Sequence, residues 1–154
     1  MKYFSYGMNT NGEQMAQRCP QARCLGSATL LDHEFRFAGH ADVVPDPGNQ
    51  VEGVLWEITP ACLDALDRLE GFPDYYLRDI VRVVWQGKLE LAMTYYMTGD
   101  RADQLPTDSY VAMLREGYTE HGVPEQQIDM ALDFARQNIS NYINTDWEWY
   151  YDKV

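Results

Sequence analysis

The 154 residues, 45% of them hydrophobic, are enough for a single domain with a buried core, and they exclude a disordered chain. A net charge of −12, with the twelve Lys and Arg scattered, excludes the basic stripe that a nucleic-acid partner requires. No apolar run is long enough for a membrane helix, and Met1-Lys2-Tyr3-Phe4 leads into a strand-like segment rather than a signal sequence, so a cytoplasmic protein with no membrane partner is expected.

Residues 2–6 read as a short strand broken by Gly7, and Asn9-Thr10-Asn11-Gly12 is loop chemistry. Residues 13–18 read as a short helix that stops before Pro20. Residues 24–31 and 34–41 read as a hairpin around Asp32-His33, because Phe35, Phe37 and Gly39 alternate with Glu34, Arg36 and His40. Pro45-Asp46-Pro47-Gly48-Asn49 is a turn too short for a linker. In the next strand, 51–58, Gly53 marks a bulge or a close approach. Thr59-Pro60 then supplies an N-cap and a proline at the first helical position. That helix runs to about Glu70, with Gly71 as its stop.

A second hairpin joins 76–85 to 88–96 across Gln86-Gly87, with Leu89, Leu91, Met93 and Tyr95 on one face. Residues 99–106 are loop. A helix over about 107–120 carries Tyr110, Val111, Leu114, Gly117 and Tyr118 on one face. Another begins at Pro124 and carries Ile128, Ala131, Leu132, Ala135 and Ile139. The aromatic tail of residues 141–154, with Trp147-Glu148-Trp149-Tyr150-Tyr151, is expected to pack on the single domain spanning 1–154; a partner contact is the other reading. Early strands and late helices predict an α+β fold: a small, mostly antiparallel sheet or barrel with flanking helices.

The familiar signatures are absent: no phosphate loop, no dinucleotide fingerprint, no nucleophile elbow and no zinc-protease motif. Cys19, Cys24 and Cys62 make no disulfide framework and, with the isolated His33, His40 and His121, no zinc spacing. Neither a metal nor a cofactor is expected. Asn138-Ile139-Ser140 matches the glycosylation pattern by chance in a cytosolic chain. Glu70 stands out. On a helical wheel Cys62, Leu63, Leu66 and Leu69 form the apolar stripe, and Glu70 falls between Leu63 and Leu66. A carboxylate held there, at the negative end of the helix dipole, has a raised pKa and suits a general base. If the helix frays at Leu69, Glu70 simply reaches water. Tyr6-Gly7-Met8-Asn9 likewise has two readings, a glycine turn after a strand or a cradle of backbone N–H groups for an anion.

Taken in order, these segments resemble the gamma-glutamylcyclotransferase-like family. Tyr3-Phe4-Ser5-Tyr6-Gly7-Met8-Asn9 is similar to that family's strand ending in Tyr-Gly-Ser-Asn. Residues 41–48 and 51–58 resemble its central strand, turn and strand, and Leu66-Asp67-Arg68-Leu69-Glu70-Gly71 resembles the helix end that carries its catalytic glutamate. Tyr75-Tyr76-Leu77-Arg78, Ser109-Tyr110 and Gly122-Val123-Pro124 resemble later pieces, so that the likeness spans roughly residues 2–140. It implies a small mixed barrel and a cofactor-free enzyme. A small γ-glutamyl substrate would cyclise to 5-oxoproline and release an amino acid or amine. Glu70 would be the acid/base, and Tyr6, Gly7, Met8, Asn9, Tyr76 and Tyr110 would contact the substrate. The alternative is an inactive binding or regulatory protein on the same fold; on either reading the chain is expected to be a monomer or a homodimer. Met8 stands where the family usually has serine, so a hydroxyl donor is replaced by a bulky thioether while the backbone donors survive.

Overall fold

Strand β1 (Lys2–Ser5) is short, but it closes the sheet. In the computed structural model, which describes residues 1–99 and 101–152 and the side chains up to 139, five strands form a closed barrel in the order β1-β3-β2-β4-β5. The others are β2 (Arg23–Ala38), β3 (His40–Glu57), β4 (Tyr76–Trp85) and β5 (Lys88–Met97). β1 runs antiparallel to β3 and parallel to β5, where Tyr3 lies opposite Met93. Thr94 Oγ1 donates to the Phe4 carbonyl at 2.8 Å across that seam. The remaining pairings are antiparallel, which gives the mostly antiparallel mixed barrel expected of an α+β chain.

The first hairpin differs from its expected form. Asp32-His33 is not its turn. β2 continues through both residues, and the chain reverses at Gly39, where Ala38 pairs with His40. Asp32 instead occupies an irregularity in the ladder with φ of 57°, a conformation that short polar side chains tolerate. Pro45-Asp46-Pro47-Gly48-Asn49 is the other side of this irregularity. His33 pairs with Pro45 and Leu31 with Gln50, so residues 46–49 bow out of β3 without ending it. The Gly48 N–H donates to Asp32 Oδ1 at 3.0 Å, which ties the two irregular segments together. Gly53 takes the close-approach role, since a Cβ there would collide with the Ser5 carbonyl and lie 2.6 Å from Phe4 Cζ.

Among the described residues four helices flank the barrel: α1 (Gly12–Arg18), α2 (Pro60–Leu69), α3 (Asp108–His121) and α4 (Gln126–Asp152). Thr59 Oγ1 accepts from the Cys62 N–H at 3.2 Å and caps α2 as expected. Cys62 and Leu66 are buried, but Leu69 is 46% exposed, so the apolar stripe ends one turn early. On β5 the predicted face is buried at Met93 and Tyr95, while Leu89 and Leu91 are exposed beyond the cover of any described helix. Leu114, Gly117 and Tyr118 of α3 and Ile128, Ala131, Leu132 and Ala135 of α4 are buried, as their spacing predicts. The backbone of α4 stays helical to Asp152; the expected packing of the tail over 141–154 lies outside the described residues. No described helix is long and apolar enough to cross a membrane.

Candidate active site

Where β1 ends, Met8–Thr10 forms one 3-10 turn. Its own bonds, from Thr10 N–H to the Gly7 carbonyl and from Asn11 N–H to the Met8 carbonyl, are both 3.0 Å long. The amides of Met8 and Asn9 take no part in them, as expected for the first donors of a helical turn. Helix α3 presses on this turn from outside. A Cβ on Gly117 would lie 2.6 Å from Thr10 Oγ1 and 2.7 Å from the Asn11 nitrogen, so the helix approaches this closely only through glycine. The neighbouring Tyr118 hydroxyl donates to the Tyr6 carbonyl at 2.7 Å and fixes the residue that precedes the turn.

Glu70 follows the last residue of α2, and its N–H still bonds to the Leu66 carbonyl at 2.8 Å, so the helix does not fray before it. Asp67, one turn earlier, holds this helix end against the barrel. It takes two bonds from Arg78, at 3.0 and 3.2 Å, and one from the Tyr95 hydroxyl at 2.7 Å.

The two segments meet. Asn9 Nδ2 donates to Glu70 Oε1 at 3.2 Å and to the Tyr3 hydroxyl at 3.0 Å. They form part of the wall of a cavity of about 260 Å³, together with Tyr6, Gly7, Met8, Tyr76, Tyr95 and Tyr110. Every residue singled out in the sequence therefore borders one pocket, though not in the same way. The Tyr6 hydroxyl is turned away into a 2.7 Å bond to the Tyr95 carbonyl, so only its ring faces the space. Tyr76 donates its proton to the Ala41 carbonyl at 2.7 Å. Tyr110 accepts from the Ala41 N–H at 3.0 Å, which leaves its own proton to give. Gly7 sits against that hydroxyl, 3.3 Å from where a Cβ would stand.

The electrostatics of the pocket favour neutral tyrosines around one carboxylate. Burial raises the Glu70 pKa above its ordinary value, against the opposing pull of Arg18 and the Asn9 bond. Tyr110 is pushed up to about 12, and Tyr3, Tyr6, Tyr76 and Tyr95 are raised as well, in each case mainly by burial. These hydroxyls are therefore hydrogen-bonding groups near neutral pH and not anions. Among the described residues no three His, Cys, Asp or Glu side chains converge as metal ligands.

Several wall residues escaped the sequence reading. Arg18 NH1 donates to Asn9 Oδ1 at 2.6 Å, and His40 Nδ1 lies 3.1 Å from the Tyr75 hydroxyl. Tyr3 was visible only as a strand residue. Arg18 is in sequence only the last residue of a short helix, and it lies nine positions from Asn9, a spacing with no helical or strand meaning. Only the compact folding of the turn and α1 brings them together.

Comparison with known proteins agrees with this fold. Residues 3–112 match the family model described as "Gamma-glutamyl cyclotransferase, AIG2-like". The human protein named gamma-glutamylcyclotransferase is 28% identical over 135 residues, covering 79% of this chain and 72% of that protein. A solved structure titled gamma-glutamyl cyclotransferase superposes with a TM-score of 0.77 at 29% identity, covering 84% of this chain and 85% of the other. YkqA from Bacillus subtilis superposes with a TM-score of 0.75 at 24% identity, covering 86% of this chain but 54% of its own, a likeness of fold alone.

Proposed function

Because this chain belongs to the gamma-glutamyl cyclotransferase, AIG2-like family, we propose that it converts a small γ-glutamyl compound to 5-oxoproline and a free amine or amino acid without a cofactor. The observation that carries this reading is the 3.2 Å bond between Asn9 and Glu70 on the wall of an aromatic pocket. The substrate's own α-amine attacks its own γ-carbonyl. A new C–N bond closes the five-membered ring, the old C–N bond breaks, and no protein nucleophile is needed.

Glu70 takes the proton from the attacking amine and returns it to the departing nitrogen. Its raised pKa makes it a stronger base for the first transfer, and a carboxylic acid remains acidic enough to protonate the departing nitrogen in the second. General acid–base assistance of this type is worth about 10²–10⁴-fold. Holding the substrate in its ring-closing conformer lowers the barrier further, since the reaction is intramolecular. The Met8 and Asn9 amides, free of the bonds within their own turn, would hold a carboxylate or the oxyanion that develops at the γ-carbon. The proton of Tyr110 is a further donor to the substrate. Tyr6 and Tyr76, with their hydroxyls engaged elsewhere, supply ring surface.

The test is to incubate the purified protein with a panel of γ-glutamyl amino acids and amines and to measure 5-oxoproline, with Glu70→Gln alongside. Turnover by the wild type and its loss in Glu70→Gln is the expected result. Equal turnover by the variant would remove Glu70 from the reaction, and no product from any compound would remove the reaction. Met8 on the pocket wall favours one second reading, a site that binds γ-glutamyl compounds without turning them over. Saturable binding with no product would support it.

A further inference from the structure

We propose that Arg18 is a positioning residue that locks the Asn9 carboxamide with its NH2 end toward Glu70. The inference deepens the cyclotransferase reading of this pocket and rests on it. It begins from the side chain of Asn9, which is only 3% exposed and must satisfy both ends of its amide inside the protein. The two ends are nearly equal in shape but opposite in hydrogen bonding: the oxygen accepts and the nitrogen donates twice. A guanidinium has no acceptor, so Arg18 NH1, 2.6 Å away, faces the oxygen. An ionised carboxylate has no donor, so Glu70 Oε1 faces the nitrogen at 3.2 Å. The second N–H goes to the Tyr3 hydroxyl at 3.0 Å. A cation and an anion thus read opposite ends of one amide, and the amide fixes where the carboxylate points.

Arg18 makes this orientation unique. Without it the flipped amide has a partner of its own, because the Tyr3 hydroxyl can turn and donate to Oδ1. The flip would then set an oxygen against Glu70, misaim the carboxylate and weaken its charged form. The other titratable groups facing Glu70 do not replace Arg18. Tyr3, Tyr6, Tyr76, Tyr95 and Tyr110 are neutral near pH 7 because burial raises them all. His40, on β3 across the pocket, is engaged with Tyr75.

The experiment is a double-mutant cycle of Arg18→Met and Asn9→Ala, with Arg18→Lys as the conservative variant, read in two independent ways. The first follows the titration of the Glu70 carboxyl by ¹³C NMR, assigned with Glu70→Gln. Arg18→Met is expected to move that titration to higher pH in the wild-type background and by a smaller amount once Asn9 is already alanine, when only the direct pull of the Arg18 charge is left to lose. Arg18→Lys, which keeps one donor for Oδ1, should restore part of the wild-type titration. Additive shifts would overturn the proposal, because they would mean that Arg18 acts on Glu70 through its charge alone and not through the Asn9 amide. The second reading is kinetic. Arg18→Met is expected to lower kcat roughly 10- to 100-fold with KM nearly unchanged, the scale of a misplaced reacting group. A rise in KM at constant kcat would make Arg18 a holder of the substrate's carboxylate and would also overturn the proposal. Absence of turnover by the wild type would remove the cyclotransferase reading, while the NMR cycle would still decide the role of Arg18.

Discussion

Glu70 shows what a single residue contributes to stability and to chemistry, and the two oppose each other. Its pKa in the folded protein lies above the ordinary 4.5 because desolvation outweighs Arg18 and Asn9. The folded state then holds the proton more tightly than the unfolded chain does. Stability from this group is fully present below about pH 4.5 and is lost as pH rises through the folded pKa. Glu70→Gln is neutral at every pH and keeps an oxygen for Asn9. It is expected to melt above the wild type at pH 7, with the gap closing as pH falls toward 4, in paired thermal scans. A gap that widened on acidification would mean that the carboxylate is stabilised by folding. The wheel placed Glu70 correctly because one face of one helix is a local property. The bond to Asn9 was not legible, because it joins residues 61 apart in sequence.

Elements were legible where their own ends announce them. Thr59-Pro60 and Thr107 cap α2 and α3 as their residue types predict. The first hairpin was misread because turn-forming residues also build bulges: Asp32 and Gly48 satisfy each other inside one long ladder. How the elements dock on the site was not legible either, since it runs through single polar contacts. Gln127 Nε2 of α4 donates to the Tyr118 hydroxyl at 2.7 Å, which in turn donates to the Tyr6 carbonyl at 2.7 Å. This relay carries α4 and α3 to the active-site turn. Tyr118 is fully buried, so Tyr118→Phe takes the donor from the Tyr6 carbonyl, at a cost of about 1–3 kcal/mol for a group left unpaired, while Gln127 keeps its bond to the Glu52 carbonyl. Chemical denaturation should show a lower midpoint with an unchanged slope. Because the turn is freed at one end, activity on a γ-glutamyl substrate should fall further than the loss of folded protein explains.

At the scale of the whole molecule, the class of fold followed from element order, but barrel closure did not. Nothing in the residues of β1 states that its second edge lies parallel to β5. That choice depends on partners such as Thr94 and Phe4, 90 residues apart. The charge, by contrast, is a whole-chain property that the composition gives outright. With a net −12, the folded protein repels itself, and the repulsion is long-ranged and screened by salt. Salt also weakens the attractive ion pairs, so the two effects compete. The Arg82–Asp32 pair at 3.5 Å and the Arg136–Asp133 pair at 3.1 Å are well exposed, and such pairs are worth about 0–1 kcal/mol each. The Arg78–Asp67 pair is more sheltered and less sensitive. Twenty-four Asp and Glu stand against twelve Lys and Arg, so relief of repulsion should dominate. Raising NaCl from about 0.02 M to about 0.3 M, which shortens the screening length several-fold, is therefore expected to raise Tm at pH 7. Near the isoelectric point of about 4.5 the surplus of one sign is gone, and the same addition should leave Tm flat or lower it. A fall in Tm with salt at pH 7 would mean that local pairing, not net charge, governs the electrostatics of this barrel.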